Sequence, residues 1–245
     1  MSTVTEAKQV PAQRCRHSLP LSVFGFFDPG RAFAANAQTK RPHIVFPLLV
    51  GSAYSAVVGM IAALRIGLAN LMGQAASRQG MDPQLVQQLA VSNRTQILAT
   101  QTISAILGAF VMSLLAALLI YLILLMFGYA ASYRPILATV AQVFAWVYLV
   151  RFTMILFVIL ISRDPSSIDI RNPIGTNLAF YVDLHAGWFA SLMRQLDVTA
   201  LAKVILVAFG TSYVVPKLSS AKACGIIVGA WIAYLLISLA IPSIA

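Results

Sequence analysis

Five stretches of the chain are apolar almost without interruption, and polar residues gather between them. They run at about 43–67, 98–126, 135–162, 197–216 and 223–243, each near the ~20 residues that a helix needs to cross a bilayer. The pattern predicts an all-α polytopic membrane protein, a bundle of five transmembrane helices, with no length left for an independent soluble domain. The expected division is a cytosolic N-terminal tail with an interfacial helix over 1–42 and a five-span transmembrane domain over 43–245. Neither a tandem repeat nor a low-complexity linker subdivides it.

Shorter signals occupy the connections. Phe24-Gly25-Phe26-Phe27 reads as an aromatic anchor, after which Asp28 is an N-cap and Pro29 the first residue of a helix to about Gln38 lying on the membrane surface. Asp82-Pro83 repeats that start within 70–97, where Leu85 and Leu89 stand among glutamines, and predicts a small outer helix. Within 163–196, Phe180, Leu184, Trp188 and Leu192 recur every fourth residue opposite Asp183 and Arg194. This predicts an amphipathic helix along the outer leaflet, its Trp at interface depth, leading into the fourth span.

Composition narrows the class. Of 245 residues 60% are hydrophobic and 10% charged, and the mean hydropathy is +0.85, against roughly 25% charged residues in a soluble domain. A soluble globular enzyme is thereby excluded. The net charge of +10 would suggest nucleic acid in a soluble protein, but here the basic residues flank the spans and report topology. Five crossings put the termini on opposite sides. The N-terminal tail with the 127–134 and 217–222 connections holds nine Lys or Arg (Lys8, Arg14, Arg16, Arg31, Lys40, Arg41, Arg134, Lys217, Lys222) against Glu6 and Asp28. The opposite side holds Arg78, Arg94, Arg163, Arg171 and Arg194 against five aspartates, Asp82, Asp164, Asp169, Asp183 and Asp197. The positive-inside rule therefore predicts a plasma (inner) membrane protein with a cytosolic N-terminus and an external C-terminus. The first 42 residues are polar apart from Leu21–Phe27, so the first span is expected to be an uncleaved anchor.

The candidate chemistry is sparse. Cys15 and Cys224 fall in the tail and at the start of the last span, suggesting neither a disulfide nor a metal site. His17, His43, His185 and the seven acids are scattered over both sides of the membrane, with no His-Glu-x-x-His, Gly-x-Ser-x-Gly or phosphate-binding loop. Catalytic residues, cofactors and metals are therefore expected to be none, and the Asn93-Arg94-Thr95 sequon marks at most an outer loop. Two features remain. Small residues recur every fourth position as Gly51, Ser55, Gly59 and Ala63 in the first span and Ala221, Gly225, Gly229 and Ala233 in the last, a pattern that lets helix backbones approach closely in lipid. It serves packing within the bundle or an interface with another copy or another protein.

The second feature is the set of cations inside spans, Arg65, Arg151 and Lys203, in a setting where a central charge costs about 2.5–3.5 kcal/mol. Arg65 ends the first span and can snorkel outward. Arg151 and Lys203 lie in the outer halves of the third and fourth spans, and the candidate acids are Asp197 and Asp183. Asp197 and Lys203 are six residues apart, on nearly opposite helix faces, so one acid cannot easily serve both cations. Either the acids pair with these cations and fix the packing of the third and fourth spans, or one cation holds an anion such as a lipid phosphate.

Phe27-Asp28-Pro29-Gly30-Arg31-Ala32-Phe33 with Lys40-Arg41-Pro42 before the first span resembles the start of the Yip (Rab-interacting protein) family of membrane proteins. Leu196-Asp197-Val198, Leu206 to Gly210, the Lys217-Leu218-Ser219-Ser220-Ala221-Lys222 hairpin and Trp231 in the last span are similar to that family's closing pattern. The Asp-Leu-Tyr-Gly-Pro motif and long N-terminal region of its eukaryotic trafficking members are missing, and the residues after Gly128-Tyr129 diverge, which favours a prokaryotic-type member. The resemblance implies five spans, a cytosolic N-terminus and a non-enzymatic organiser or adaptor that binds membrane proteins. The expected partners are membrane lipids, other membrane proteins or a second copy, and not nucleic acid. The alternative is a transporter or binder of an anionic lipid or solute using Arg151 and Lys203. An intramembrane enzyme is the third class, for which no nucleophile and base can be paired.

Overall fold

The structure is a computed structural model, and it describes residues 25–39, 41–78, 81–168, 174–177, 181 and 188–240. The described residues are helical apart from short connections, and the one extended contact among them is an isolated antiparallel bridge between Asn177 and Asp197. A single 3₁₀ turn, Gly25–Phe27, precedes α1 (Pro29–Gln38). There follow α2 (Val45–Ala62), α3 (Leu68–Arg78), α4 (Pro83–Ser92), α5 (Arg94–Met126), α6 (Tyr133–Ile161), α7 (Trp188–Gln195), α8 (Val198–Val214) and α9 (Ser220–Ala240).

Among the described residues four helices are long and apolar enough to cross a membrane: Val45–Gln74, Arg94–Met126, Tyr133–Ile161 and Ser220–Ser238. They correspond to the first, second, third and last of the expected spans. The expected crossing at 197–216 is the shorter apolar helix α8, of 17 residues, which extends only about 25 Å at 1.5 Å per residue. Leu107, Leu115, Leu118 and Leu122 of α5 and Leu236 and Ile237 of α9 are exposed, a surface suited to lipid and costly in water. The fold is that of a membrane protein.

Helix α6 is the axis of the bundle. Every residue from Ile136 to Trp146 is buried, because α2, α5, α8 and α1 all pack on it. Close approach is possible where side chains are small: a Cβ on Gly51 of α2 would lie 2.9 Å from the Ala145 backbone. The turn from α5 into α6 is closed by Gly128 at φ +78°, with Gly128 N–H donating to Leu125 O (2.9 Å) and Tyr129 N–H to Leu124 O (3.0 Å). These two bonds are those of a Schellman end, which places its left-handed residue at a glycine.

On the side opposite to α1 the chain is more helical than expected. Between 63 and 67 the first long helix widens into a π turn, Ala63–Gly67, and α3 follows it to pack against α4. The 70–97 connection therefore holds a helical hairpin where one small helix was expected. Its second member starts as the sequence predicts, with Asp82 Oδ1 accepting from Gln84 N–H at 2.9 Å and Pro83 at the first position. The amphipathic helix expected over Phe180 to Arg194 is described only from Trp188 to Gln195. Asp183 and His185 lie outside the described residues, as do Cys15 and His17.

The helix expected to rest on the membrane surface packs against the bundle along one side. Asp28 Oδ1 caps α1 by accepting from Arg31 N–H at 3.1 Å. Ala32, Phe33, Ala35 and Asn36 are buried, whereas Arg31 and Gln38 are exposed. The Phe33 ring sits among Trp146 (5.4 Å between centroids), Phe209 (6.2 Å) and Tyr213 (6.3 Å). Its place exists because residue 210 is glycine: a Cβ there would be 2.5 Å from Thr139 Cγ2 and 2.9 Å from the Phe33 ring. Asn36 Nδ2 donates to Gln142 Oε1 at 2.8 Å.

Replacing Phe33 by Ala is expected to destabilise the protein by roughly 1–3 kcal/mol, since between lipid-embedded helices the cavity cost remains while the transfer gain is small. Asn36→Ala should cost less, about 0.6 kcal/mol, a typical interhelical hydrogen bond in a membrane protein. Thermal unfolding in mild detergent checks the order, and a larger loss for Asn36→Ala would mean that the polar contact, not the ring, holds α1.

Candidate functional site

Two groups of residues stand out, the charge cluster at the far ends of α6 and α8 and the small-residue stripes. The cluster begins at Asp197, whose local sequence Asp197-Val198-Thr199 is that of a capped helix start. Asp197 Oδ1 accepts from Thr199 N–H (2.6 Å), Thr199 Oγ1 (2.6 Å) and Ala200 N–H (3.3 Å). Its second oxygen, Oδ2, accepts from Thr176 Oγ1 at 2.9 Å. Val198 N–H donates to Thr176 O at 2.9 Å, so the carboxylate ties the preceding loop to the first turn of α8.

Arg151 on α6 and Lys203 on α8 are half-buried and brought together with Asp197: Arg151 acts electrostatically on both Asp197 and Lys203, and Asp197 acts on Lys203. The expected ion pair is nevertheless absent among the described residues. No Asp197 oxygen lies within 4.0 Å of either cation; Lys203 Nζ rests instead over the Phe144 ring, 4.8 Å from its centroid. The carboxylate is held by local donors instead, three on Oδ1 and one on Oδ2. Arg65, the third cation, is exposed in the π turn, as snorkelling requires. Among the described residues no three His, Cys, Asp or Glu side chains gather as a metal site would need.

Tyr148 was not singled out in the sequence, yet it belongs to this cluster. It stands between Phe144 and Phe152 in an aromatic ladder along α6, at 6.3 and 6.0 Å, and interacts electrostatically with Arg151. The spacing 144, 148, 152 is the one signal that announces the ladder. Thr176 and Thr199 were also missed; Thr199 is legible as the second residue after an N-cap, whereas Thr176 reaches Asp197 across 21 positions with no pattern to mark it.

The two stripes have different fates. In the first, Gly51 is buried against Ala145 and Ala63 is buried near Leu68 and Ala90, so these two pack within the bundle. Gly59 opens instead onto a cavity of about 230 Å³ lined by Ser55, Gln101 and Phe152 among others. In the last helix Ala221, Gly225, Gly229 and Ala233 are all exposed, and a Cβ on Gly225 or Gly229 would meet nothing within 4 Å. No protein-family model matches this chain, and comparison with curated proteins and with solved structures finds no match either.

Asp197→Ala removes the cap and the tie to Thr176, and is expected to destabilise the protein by about 1–2 kcal/mol. Asp197→Asn keeps an acceptor oxygen for the cap and should lose less. Thermal unfolding of the two variants side by side decides; equal losses would point to the negative charge rather than to the cap.

Proposed function

We propose that this chain is a non-enzymatic membrane organiser or adaptor of the Yip type, which holds other membrane proteins, or a second copy of itself, by lateral contacts between helices. The observation that carries the reading is the stripe on α9. Ala221, Gly225, Gly229 and Ala233 line one outward side of a membrane helix, with open space over both glycines. Within lipid there is no hydrophobic force to bring helices together, so association depends on close van der Waals fit, which small residues at every fourth position allow.

The reading carries the five-span arrangement with it. Helix α8, at 17 residues, stands at the short limit for a crossing, and with it as the fourth span α9 runs outward. The N-terminus and the short hairpins 127–132 and 215–219 then face the cytosol of the plasma membrane, in agreement with the excess of Lys and Arg on that side. Helix α1 would be the structured cytosolic element nearest to a soluble partner.

Gly225→Leu and Gly229→Leu test the idea without touching the bundle, since the added side chains enter open space. In native membranes solubilised mildly, the wild type is expected to run as a complex larger than one chain on native electrophoresis. The double variant should run as the single chain with unchanged thermal stability. A wild type that runs as a single chain, or a complex indifferent to both leucines, would remove lateral contact through α9 as the function. Gly51→Leu serves as the contrast and should reduce the yield of folded protein.

A further inference from the structure

Tyr148, Arg151 and Lys203 present three hydrogen-bond donors on neighbouring helices. Among the described residues no hydrogen bond or ion pair engages the Tyr148 hydroxyl, the Arg151 guanidinium or the Lys203 ammonium. Phe144, Tyr148 and Arg151 follow one another at i, i+4 and i+7 along one face of α6, and Lys203 Nζ reaches that face at the Phe144 ring, 4.8 Å from its centroid, with the Tyr148 ring 6.3 Å from that of Phe144. The neighbouring acid is already committed, since Asp197 accepts four hydrogen bonds from Thr176, Thr199 and Ala200. Among the described residues the cluster therefore holds two cations and one carboxylate, an excess positive charge within the spans, where an uncompensated charge is costly.

The donors are also reachable. All three side chains are half-buried, and the one buried polar side-chain atom without a partner among the described residues is Gln74 Oε1, elsewhere in the fold. The Phe144 ring covers one side of the Lys203 ammonium and positions it, leaving its other hydrogens to a ligand. Lys203 is in the second turn of α8, and Arg151 is ten residues short of the end of α6 at Ile161, or about 15 Å along the axis.

We propose that Tyr148, Arg151 and Lys203 form a binding site for a phosphate-bearing anion, either the phosphodiester of an anionic lipid headgroup or free phosphate. A guanidinium presents a planar fork of N–H groups that matches two oxygens of a phosphate, an ammonium adds a point charge, and the phenol supplies a third donor. A singly charged phosphodiester would balance the excess charge, and its acyl chains would lie along the exposed apolar surfaces of α6 and α8. The proposal stands independently of the lateral contacts of α9, because none of these residues is on that helix.

The test is native mass spectrometry of the full chain in mild detergent, titrated with dioleoylphosphatidylglycerol or with dioleoylglycerol, which has the same tails and no phosphate. The wild type should retain one phosphatidylglycerol per chain and no dioleoylglycerol. Arg151→Gln and Lys203→Gln should each weaken retention about tenfold, the loss of a charge-assisted hydrogen bond. Tyr148→Phe, which removes one hydroxyl oxygen and little volume, should weaken it about fivefold, and Arg151→Lys should restore part of what Arg151→Gln loses. Displacement of the lipid by inorganic phosphate assigns the site to free phosphate, and resistance to displacement assigns it to the lipid headgroup. If Arg151→Gln fails to fold, Lys203→Gln and Tyr148→Phe carry the comparison. Equal retention of the two lipids, equal retention by wild type and variants, or retention of neither phosphatidylglycerol nor phosphate by the wild type would overturn the proposal.

Discussion

The structure depends on the packing around one buried stretch of one helix, Ile136 to Trp146 of α6. A helix in lipid can leave its side chains to the acyl tails at no cost, so enclosure on all sides needs a reason other than hydrophobicity. Part of the reason lies in what that stretch contains. Thr139 and Gln142 are buried with the apolar residues, and Asn36 meets Gln142 from α1. Thr139 turns its hydroxyl back onto Pro135 O at 3.0 Å, leaving its methyl for the contact with α8. Polar groups at this depth must be satisfied within the protein, and satisfying them recruits the neighbouring helices.

The same stretch explains why α1 is part of the bundle. Helix α8 is shorter than α6 and α9 beside it, and its residues Phe209, Gly210 and Tyr213 adjoin Phe33 on α1. The two elements thus complete the enclosure of α6 together. A tail helix joined in this way is mechanically coupled to α6 and α8, the two helices that carry Arg151 and Lys203 further along.

The features legible in the sequence are those set by local chemistry. The Asp28-Pro29, Asp82-Pro83 and Asp197-Val198-Thr199 starts each form a capped helix because the capping oxygen and its N–H donor lie within three residues. The long apolar runs became helices close to the expected bounds. Features that rest on contacts between distant segments were not legible. The burial of Phe33 depends on Gly210, 177 positions away, and the Asn36–Gln142 bond spans 106. Helix α3 was not legible because its residues, Leu68 to Arg78, mix small, polar and apolar types and follow Gly67, which has φ +90°. For the candidate site, the sequence placed Arg151, Lys203 and Asp197 together but not their relation, since the choice between pairing and capping turns on which donors reach a carboxylate first.

That choice gives the two ends of α6 different character. Near its start, the polar side chain of Gln142 meets Asn36, and the aromatic rings around Phe33 close the contact. Further along, Asp197 is held by backbone N–H groups and threonine hydroxyls fixed in the same loop and first turn. Those donors are preorganised, whereas a Lys or Arg side chain must give up rotamer freedom of about 2 kcal/mol to reach the same oxygen. The local cap therefore prevails over the long-range pair, and Lys203 is left over the Phe144 ring. Lys203 also stands six residues beyond Asp197, on nearly the opposite side of the helix, so the cap does not carry the carboxylate toward the ammonium.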